Sequence, residues 1–311
     1  MFFAKIIMKV SLITTVLNEK NTIDEFMKSV ISQTKKPDEF IIVDGGSTDG
    51  TYEILKRYSK KYKWIKVFQE KGASIGRGRN IAIEKSKNEI IACTDAGCLL
   101  DKNWLKEITK PFVKKEVDVV VGIYEPYYTN DFEYFQGLLV VPSPEKIFMN
   151  PSRMSSRSIA LKKVCWKNVG GYPNLTTGED TQFNIKLIES GYRFYFAKNA
   201  IVYWRMRRNL KEFFKQFYRY GVGDRKSKNI LKMKKNLLFV AGFWFYVFLM
   251  LFSFFVSLNL LVLLLLLPFI YFFLDGLKLA IKSRKVSGIF YGFIISLTKR
   301  IAYVLGASFE K

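Results

Sequence analysis

Two apolar runs near the carboxyl end, Asn236 to Ser257 and Asn259 to Leu274, limit what this chain can fold into more than any other feature. Each approaches the roughly 20 residues that cross the hydrocarbon of a bilayer. Inside hydrocarbon every backbone N–H and C=O must be satisfied within the segment, which leaves a helix as the form open to a single run. The pair, with Pro268 in its second member, predicts a transmembrane helical hairpin over 236–277. Basic residues stand before it (Arg225, Lys226, Lys228, Lys232, Lys234, Lys235) and after it (Lys278, Lys282, Arg284, Lys285), and none at the turn, so both flanks are expected on the cytosolic side. A buried helical pair in a water-soluble domain is the alternative. The last apolar segment, Ile289 to Leu305, contains Lys299 and Arg300 and is expected to lie in the interface rather than span.

The formal charge, +23 from 50 basic and 27 acidic residues among 311, requires a polyanionic neighbour: nucleic acid, anionic lipid or a phosphate-bearing substrate. Its clustering beside the hairpin decides among them, since each Lys or Arg near an anionic leaflet gains about 1 kcal/mol. Anionic membrane lipids are therefore expected as partners, and nucleic acid is not. No histidine occurs, which excludes a His-liganded metal, a Ser-His-Asp triad and a Cys-His pair. Cys93, Cys98 and Cys165 match no metal-ligand spacing and read as reduced thiols. Any catalytic base is then a carboxylate, Lys, Tyr or Cys. At the amino end, Lys5 and Lys9 surround an apolar stretch too short for a signal-peptide core, so that end is expected to stay in the cytosol.

Upstream of the basic belt, strands and helices alternate, the mark of a mostly parallel sheet. Val10 to Leu17 reads as a buried strand ending on Asn18-Glu19, followed by a helix with Ile23, Phe26, Met27, Val30 and Ile31 on one face. Phe40 to Val43 is a second strand, ending in Asp44 before two glycines and small hydroxyl residues. Ligands of open α/β sheets sit at such strand ends. Asp44 would there accept hydrogen bonds from a base or ribose, with an Asx turn as the plainer alternative. A helix at 52–62, a strand at Ile65 to Phe68 and a glycine-studded loop, Gly72 to Asn80, come next, leading into a helix from Ile81 to Lys85. Within that loop Gly76-x-Gly78, flanked by Arg77 and Arg79, would hold a diphosphate or simply carry solvated arginines; it is neither a dinucleotide fingerprint nor a Walker motif. The strand from Glu89 to Thr94 delivers a second acid, Asp95, to the same edge, where one carboxylate with phosphate oxygens and water can hold a hard divalent cation.

Val10 to Glu19, Val43 to Thr51, Gly78-Arg79-Asn80, Thr94-Asp95-Ala96-Gly97 and Gly178-Glu179-Asp180 occur in the order and spacing of family 2 glycosyltransferases of the GT-A fold. The resemblance spans roughly the first 220 residues. It implies a nucleotide-diphospho-sugar donor, with Asp44 at the base, Thr15 and Glu19 lining the nucleoside pocket and Arg79 near the diphosphate. Asp95 resembles the first acid of the family's Asp-x-Asp motif and is the expected ligand of Mg2+ or Mn2+, while Gly97 stands in place of the second acid. The resemblance further implies that Asp180 is the general base of an inverting transfer. From its residues alone, Asp180 reads as the N-cap of the following helix.

The acceptor side is expected to include Glu179, Arg153 and Arg157; the two arginines precede a strand at Ile159 to Leu161 that would carry Arg153 or Arg157 toward phosphate. Gln216-Phe-Tyr-Arg219-Tyr220 has the spacing of the Gln-x-x-Arg-Trp element of membrane polysaccharide synthases, with Tyr for Trp, and Gln216, Arg219 and Tyr220 are expected at the acceptor edge. An ordinary amphipathic surface helix is the alternative. Trp204 occupies a place where many relatives have histidine. The aromatic stretch from Tyr124 to Asn150 would be an acceptor-side lid, a membrane-facing surface or plain packing.

The expected architecture is thus α/β: a Rossmann-like GT-A domain over 1–205, a basic juxtamembrane helix region over 206–235, the hairpin, and a basic loop with an interfacial helix over 278–311. The expected activity is transfer of a sugar to a lipid-linked or cell-envelope glycan acceptor at the cytosolic membrane face. A membrane-tethered nucleic-acid binder or scaffold is the rival from another class. A sugar nucleotidyltransferase is less favoured, because Thr14 to Glu19 contains no glycine for a phosphate loop.

Overall fold

The computed structural model describes residues 8–150, 153–226 and 234–309. Lys5, Lys228 and Lys232, and the side chains of Lys234 and Lys235, lie outside the described residues, so the expectations placed on them are not addressed. The chain forms two compact units, Met1–Glu125 with Pro142–Arg205, and Pro126–Val141 with Met206–Lys311.

The first unit is built on an eight-stranded sheet in the order β3-β2-β1-β4-β7-β6-β8-β5. Its strands are β1 (Val10–Val16), β2 (Glu39–Asp44), β3 (Ile65–Gln69), β4 (Ile90–Cys93), β5 (Cys98–Leu100), β6 (Val119–Tyr127), β7 (Ile159–Lys162) and β8 (Phe194–Arg205). The crossovers are α1 (Ile23–Ile31), α2 (Thr51–Lys61) and α3 (Ile75–Lys85); α4 (Trp104–Thr109) follows β5. Val10, Leu12, Ile13, Phe40, Ile41 and Ile42 are fully buried, as strands covered on both faces require.

The expectation of a mostly parallel sheet holds for one half. β1 pairs in parallel with β2 and β4, and β2 with β3, whereas β4–β7, β6–β7 and β5–β8 are antiparallel. The sheet is therefore mixed. Because β1 connects outward to β2 and the chain returns past it to form β4, the switch point lies between β1 and β4, where open α/β sheets leave a crevice at their carboxyl ends. Thr14 Oγ1 donates to the Thr94 carbonyl at 2.8 Å and stitches these two strand ends together.

The expected loop over 72–80 is corrected. α3 begins at Ile75, with Ser74 as its N-cap accepting from the Arg77 amide, so Gly76 and Gly78 lie in the helix. Glycine is needed there for close approach: a Cβ on Gly78 would stand 2.7 Å from Thr15 Cγ2, and one on Gly76 would stand 1.9 Å from the Pro173 carbonyl oxygen.

The second unit is helical: α5 (Asp131–Val140), which belongs to the excursion 126–141, and after β8 the helices α9 (Leu210–Lys226), α10 (Lys234–Val256), α11 (Leu258–Ser283) and α12 (Gly288–Ser308). Between them in sequence the first unit adds α6 (Pro144–Phe148), α7 (Lys163–Asn168) and α8 (Glu179–Glu189). Phe135, Phe213, Phe217, Leu279, Ile295 and Ala302 form the core of the helical unit. Asn236–Val256, Leu258–Ser283 and Gly288–Ser308 are all long and apolar enough to cross a membrane. The last of these, expected as an interfacial helix, thus also has spanning length. Its Arg300 pairs with Asp275 of α11 at 3.8 Å and lies over the Tyr271 ring, the kind of partner a charge needs at membrane depth.

Candidate active site

β2 ends on Asp44, and the backbone turns at once so that its own carboxylate closes the turn. Asp44 Oδ1 accepts from the amides of Gly46 and Ser47 at 2.9 and 2.8 Å and from Gln69 Nε2 at 3.0 Å. Oδ2 is buried with no partner among the described residues. A buried carboxylate oxygen left without a donor costs about 1–3 kcal/mol, which a ligand N–H or O–H would recover. Loops 17–22 and 45–51 are knitted beside it: Asn18 Oδ1 accepts from the Thr48 amide, and the Glu19 and Lys20 amides donate to Thr51 Oγ1 and Asp49 Oδ2. The Glu19 carboxylate turns to Thr22, accepting its hydroxyl at 2.6 Å. Thr15 is half-buried under Gly78.

The second group is tied together through Arg79, which is 2% exposed. α3 brings its guanidinium between two acids: Nη2 meets Asp95 Oδ1 at 2.7 Å and Nη1 meets Glu179 Oε1 at 2.6 Å. Its plane lies over the Tyr172 ring at 5.3 Å. Asp95 Oδ2 faces Arg157 Nε at 3.5 Å, Arg157 Nη1 donates to Ser155 Oγ at 2.9 Å, and Ser155 Oγ donates to Asp180 Oδ2 at 3.1 Å. Five of the residues singled out from the sequence, Arg79, Asp95, Arg157, Glu179 and Asp180, are thus in one connected network.

Local sequence explains the placement. Gly178 adopts φ +81° as the N-cap of α8, so the expected N-cap role of Asp180 is corrected: it sits in the first turn, and its Oδ1 accepts from the Thr181 amide. Arg157 lies in a 3-10 turn, Ser156–Ser158, immediately before β7, which forms where the strand at Ile159 to Leu161 is expected, and its guanidinium stacks on Trp204 at 4.0 Å. Arg153 is exposed, and its carbonyl accepts from the Tyr124 hydroxyl. Ser155 was not singled out by sequence reasoning; the run of hydroxyl residues around Arg153 and Arg157 was its only signal. In the helical unit, Gln216 and Tyr220 are hydrogen-bonded to each other at 2.8 Å, and Arg219 is exposed.

Burial pushes the Cys93 thiol up to about 12 and that of Cys165 to about 11, so neither supplies a thiolate near neutral pH. Burial, then the neighbouring Asp180 charge, pushes the Glu179 carboxyl up to about 7 against the pull of Arg79. The sign follows from the protonated form being favoured in the folded chain. Stabilisation from this group is complete below pH 4.5 and is lost as the pH rises to about 7. Between those limits the melting temperature of the wild type is expected to fall relative to that of Glu179→Gln, which has no proton to lose. Parallel melting curves across the window would contradict this assignment.

A divalent cation would find one carboxylate here. Among the described residues no group of three or more potential His, Cys, Asp or Glu ligands exists. The Asp95 side chain is 29% exposed, its Oδ2 has only the longer of the two guanidinium contacts, and a Cβ on Gly97 would meet nothing within 4 Å. This donor set fits Mg2+ or Mn2+ held by one or two protein oxygens, with substrate phosphates and water completing the shell.

Residues 11–171 match Glycosyl transferase family 2. The glycosyltransferase AglE of Haloferax volcanii is 27% identical over 248 residues, covering 76% of this chain and 79% of that protein. A dolichyl N-acetyl-alpha-D-glucosaminyl phosphate 3-beta-D-2,3-diacetamido-2,3-dideoxy-beta-D-glucuronosyltransferase of Methanococcus voltae is 23% identical, with 89% of each chain covered. The chain spans 29% and 34% of two other curated relatives that it matches. In fold it is similar to the mannosyltransferase PcManGT from Pyrobaculum calidifontis, solved in complex with GDP-Man and Mn2+, with a TM-score of 0.61 over 94% of this chain and 86% of that one at 17% identity. With more than half its length matched, the chain belongs to glycosyl transferase family 2 and is a glycosyltransferase.

Proposed function

We propose that this enzyme moves a sugar, with inversion at the anomeric carbon, from a nucleotide-diphospho-sugar to a lipid-linked or cell-envelope glycan acceptor at the cytosolic face of a membrane. The observation that carries the proposal is the continuous network from Arg79 through Asp95, Arg157 and Ser155 to Asp180, at the carboxyl end of the sheet. Asp44 and the loops around Thr15 and Glu19 bind the nucleoside. Asp180, oriented by Ser155, takes the acceptor hydroxyl proton as that oxygen attacks. Arg157, held against Trp204, offers a fixed positive charge to the departing diphosphate, and Arg79 fixes the two acids Asp95 and Glu179. Arg153, exposed before this turn, would meet acceptor phosphate. Asp95 would hold Mg2+ or Mn2+, which when bound neutralises charge on the leaving group.

Membrane attachment is supported by the three candidate spans, and a lipid-linked acceptor by the name of the Methanococcus relative. Anionic lipids would meet the basic belt. The pocket assignment is tested by calorimetry with nucleoside diphosphates. Asp44→Ala is expected to weaken the nucleotide bound by wild type about tenfold or more, the scale of a lost hydrogen bond to a charged group. Unchanged affinity would remove Asp44 from the donor site.

A further inference from the structure

Arg207 precedes α9 in the helical unit and is held from two sides by buried amides. Its backbone N–H donates to Gln136 Oε1 at 2.7 Å, and its carbonyl accepts from Gln136 Nε2 at 3.1 Å. Its side-chain Nε donates to Gln216 Oε1 at 3.1 Å, and Gln216 Nε2 donates in turn to the Tyr220 hydroxyl at 2.8 Å. Gln136 and Gln216 are 1% and 8% exposed. The two terminal amino groups of the half-buried guanidinium have no partner among the described residues.

A solvated surface arginine needs no such cradle. Arg208, Lys211 and Lys215, its neighbours in the basic belt, are exposed. Burying two glutamines is costly unless their amides are satisfied, and here both ends of Gln136 and the carbonyl of Gln216 are committed to Arg207, with the Gln216 amino group on Tyr220. The result is a guanidinium fixed at Nε, with two amino groups that no other described residue occupies. That is the planar edge which meets two phosphate oxygens together.

Two further observations select a lipid as the carrier of that phosphate. The same unit contains the three helices long and apolar enough to cross a membrane. Within it, a cavity of about 400 Å³ lies between Leu210, Lys211 and Phe214 of α9 and Leu297, Thr298 and Ile301 of α12. Its lining is apolar apart from Lys211 and Thr298, and it begins three residues after Arg207, a match for a hydrocarbon tail beside an anionic head.

We propose that Arg207 binds the phosphate of a lipid-linked acceptor, with the tail in this groove, and that Gln136, Gln216 and Tyr220 are positioning residues acting through Arg207. This rests on the reading of the acceptor as lipid-linked. It also gives Gln216 and Tyr220 a different task from the direct acceptor contact expected of them.

The test uses the full chain in detergent micelles, with farnesyl phosphate and farnesol as probes and tryptophan fluorescence as the readout. Wild type is expected to bind farnesyl phosphate about tenfold more tightly than farnesol, the scale of one charge-assisted contact. Arg207→Gln should lose that preference and Arg207→Lys should recover only part of it. Gln216→Leu should weaken it severalfold with Arg207 still present, and Arg208→Gln should leave it intact. If Arg207→Gln does not fold, Arg207→Lys and Gln216→Leu carry the test. A preference kept in the Arg207 and Gln216 variants would overturn the proposal. So would an equal loss in Arg208→Gln, which would mean diffuse belt electrostatics, or an equal loss of binding to phosphatidylglycerol vesicles, which would mean a bulk headgroup. Melting shifts with UDP and GDP are read alongside: if wild type shows neither, the donor reading fails independently of Arg207.

Discussion

Asp180→Asn is expected to lower kcat about a thousandfold while leaving nucleotide affinity within about twofold of wild type, in the range measured for loss of a positioned general base. The substitution keeps the size of the side chain and one oxygen, which can still accept from the Thr181 amide, while the new amino group faces Ser155 Oγ, whose lone pairs can accept it. What it removes is the negative charge that, on the proposed mechanism, takes a proton. Ser155→Ala should show a smaller loss of the same kind, since it frees the carboxylate to turn without neutralising it. Transfer rates of washed membranes with each variant, at saturating donor, read both effects. Activity of Asp180→Asn within tenfold of wild type would transfer the base role elsewhere.

Arg79→Gln carries the other large effect. Its guanidinium is buried between Asp95 and Glu179, so removing it leaves the buried Glu179 without its cation and Asp95 with only the longer contact to Arg157. Breaking a buried pair from one side costs about 3–5 kcal/mol. A melting temperature clearly below that of wild type is expected, together with loss of activity. Arg79→Lys should recover little, because one ammonium cannot reproduce two forked contacts to different acids. Chemical denaturation of the detergent-solubilised protein measures the loss, and a variant as stable as wild type would show that Arg79 is not the tie between the acids.

What the sequence made legible follows from how local each signal is. β1 and β2 are apolar runs buried on both faces and ended by polar turns, and an acid at such an end needs no tertiary knowledge to be noticed. The start of α3 was illegible because Gly76 and Gly78 read as loop residues by propensity. Their helical placement depends on contacts with Pro173 and Thr15, distant in sequence. β5 has only three residues and exists by pairing with β8 about a hundred positions later. The antiparallel half of the sheet depends on the same kind of long-range pairing, which strand-and-helix alternation cannot reveal.

The site divides along the same line. Acids following strands were visible, whereas Ser155, linking Arg157 to Asp180, was not, because hydroxyl residues in a loop carry no directional signal. The cradle of Arg207 was equally hidden: Gln136 lies in an aromatic excursion whose partners in the helical unit come 70 residues or more later. Gly178 was the one overlooked local clue, a glycine at the cap position that moves Asp180 into the first turn.

A panel of radiolabelled nucleotide sugars, supplied to membranes containing wild type or Asp180→Asn with Mg2+ or Mn2+, measures the central claim most directly when the anomeric configuration of the product is read by NMR. At least one donor should give a glycosylated product of inverted configuration that depends on Asp180. Retention of configuration, or equal transfer by both proteins, would contradict the mechanism drawn from this network of acids and arginines.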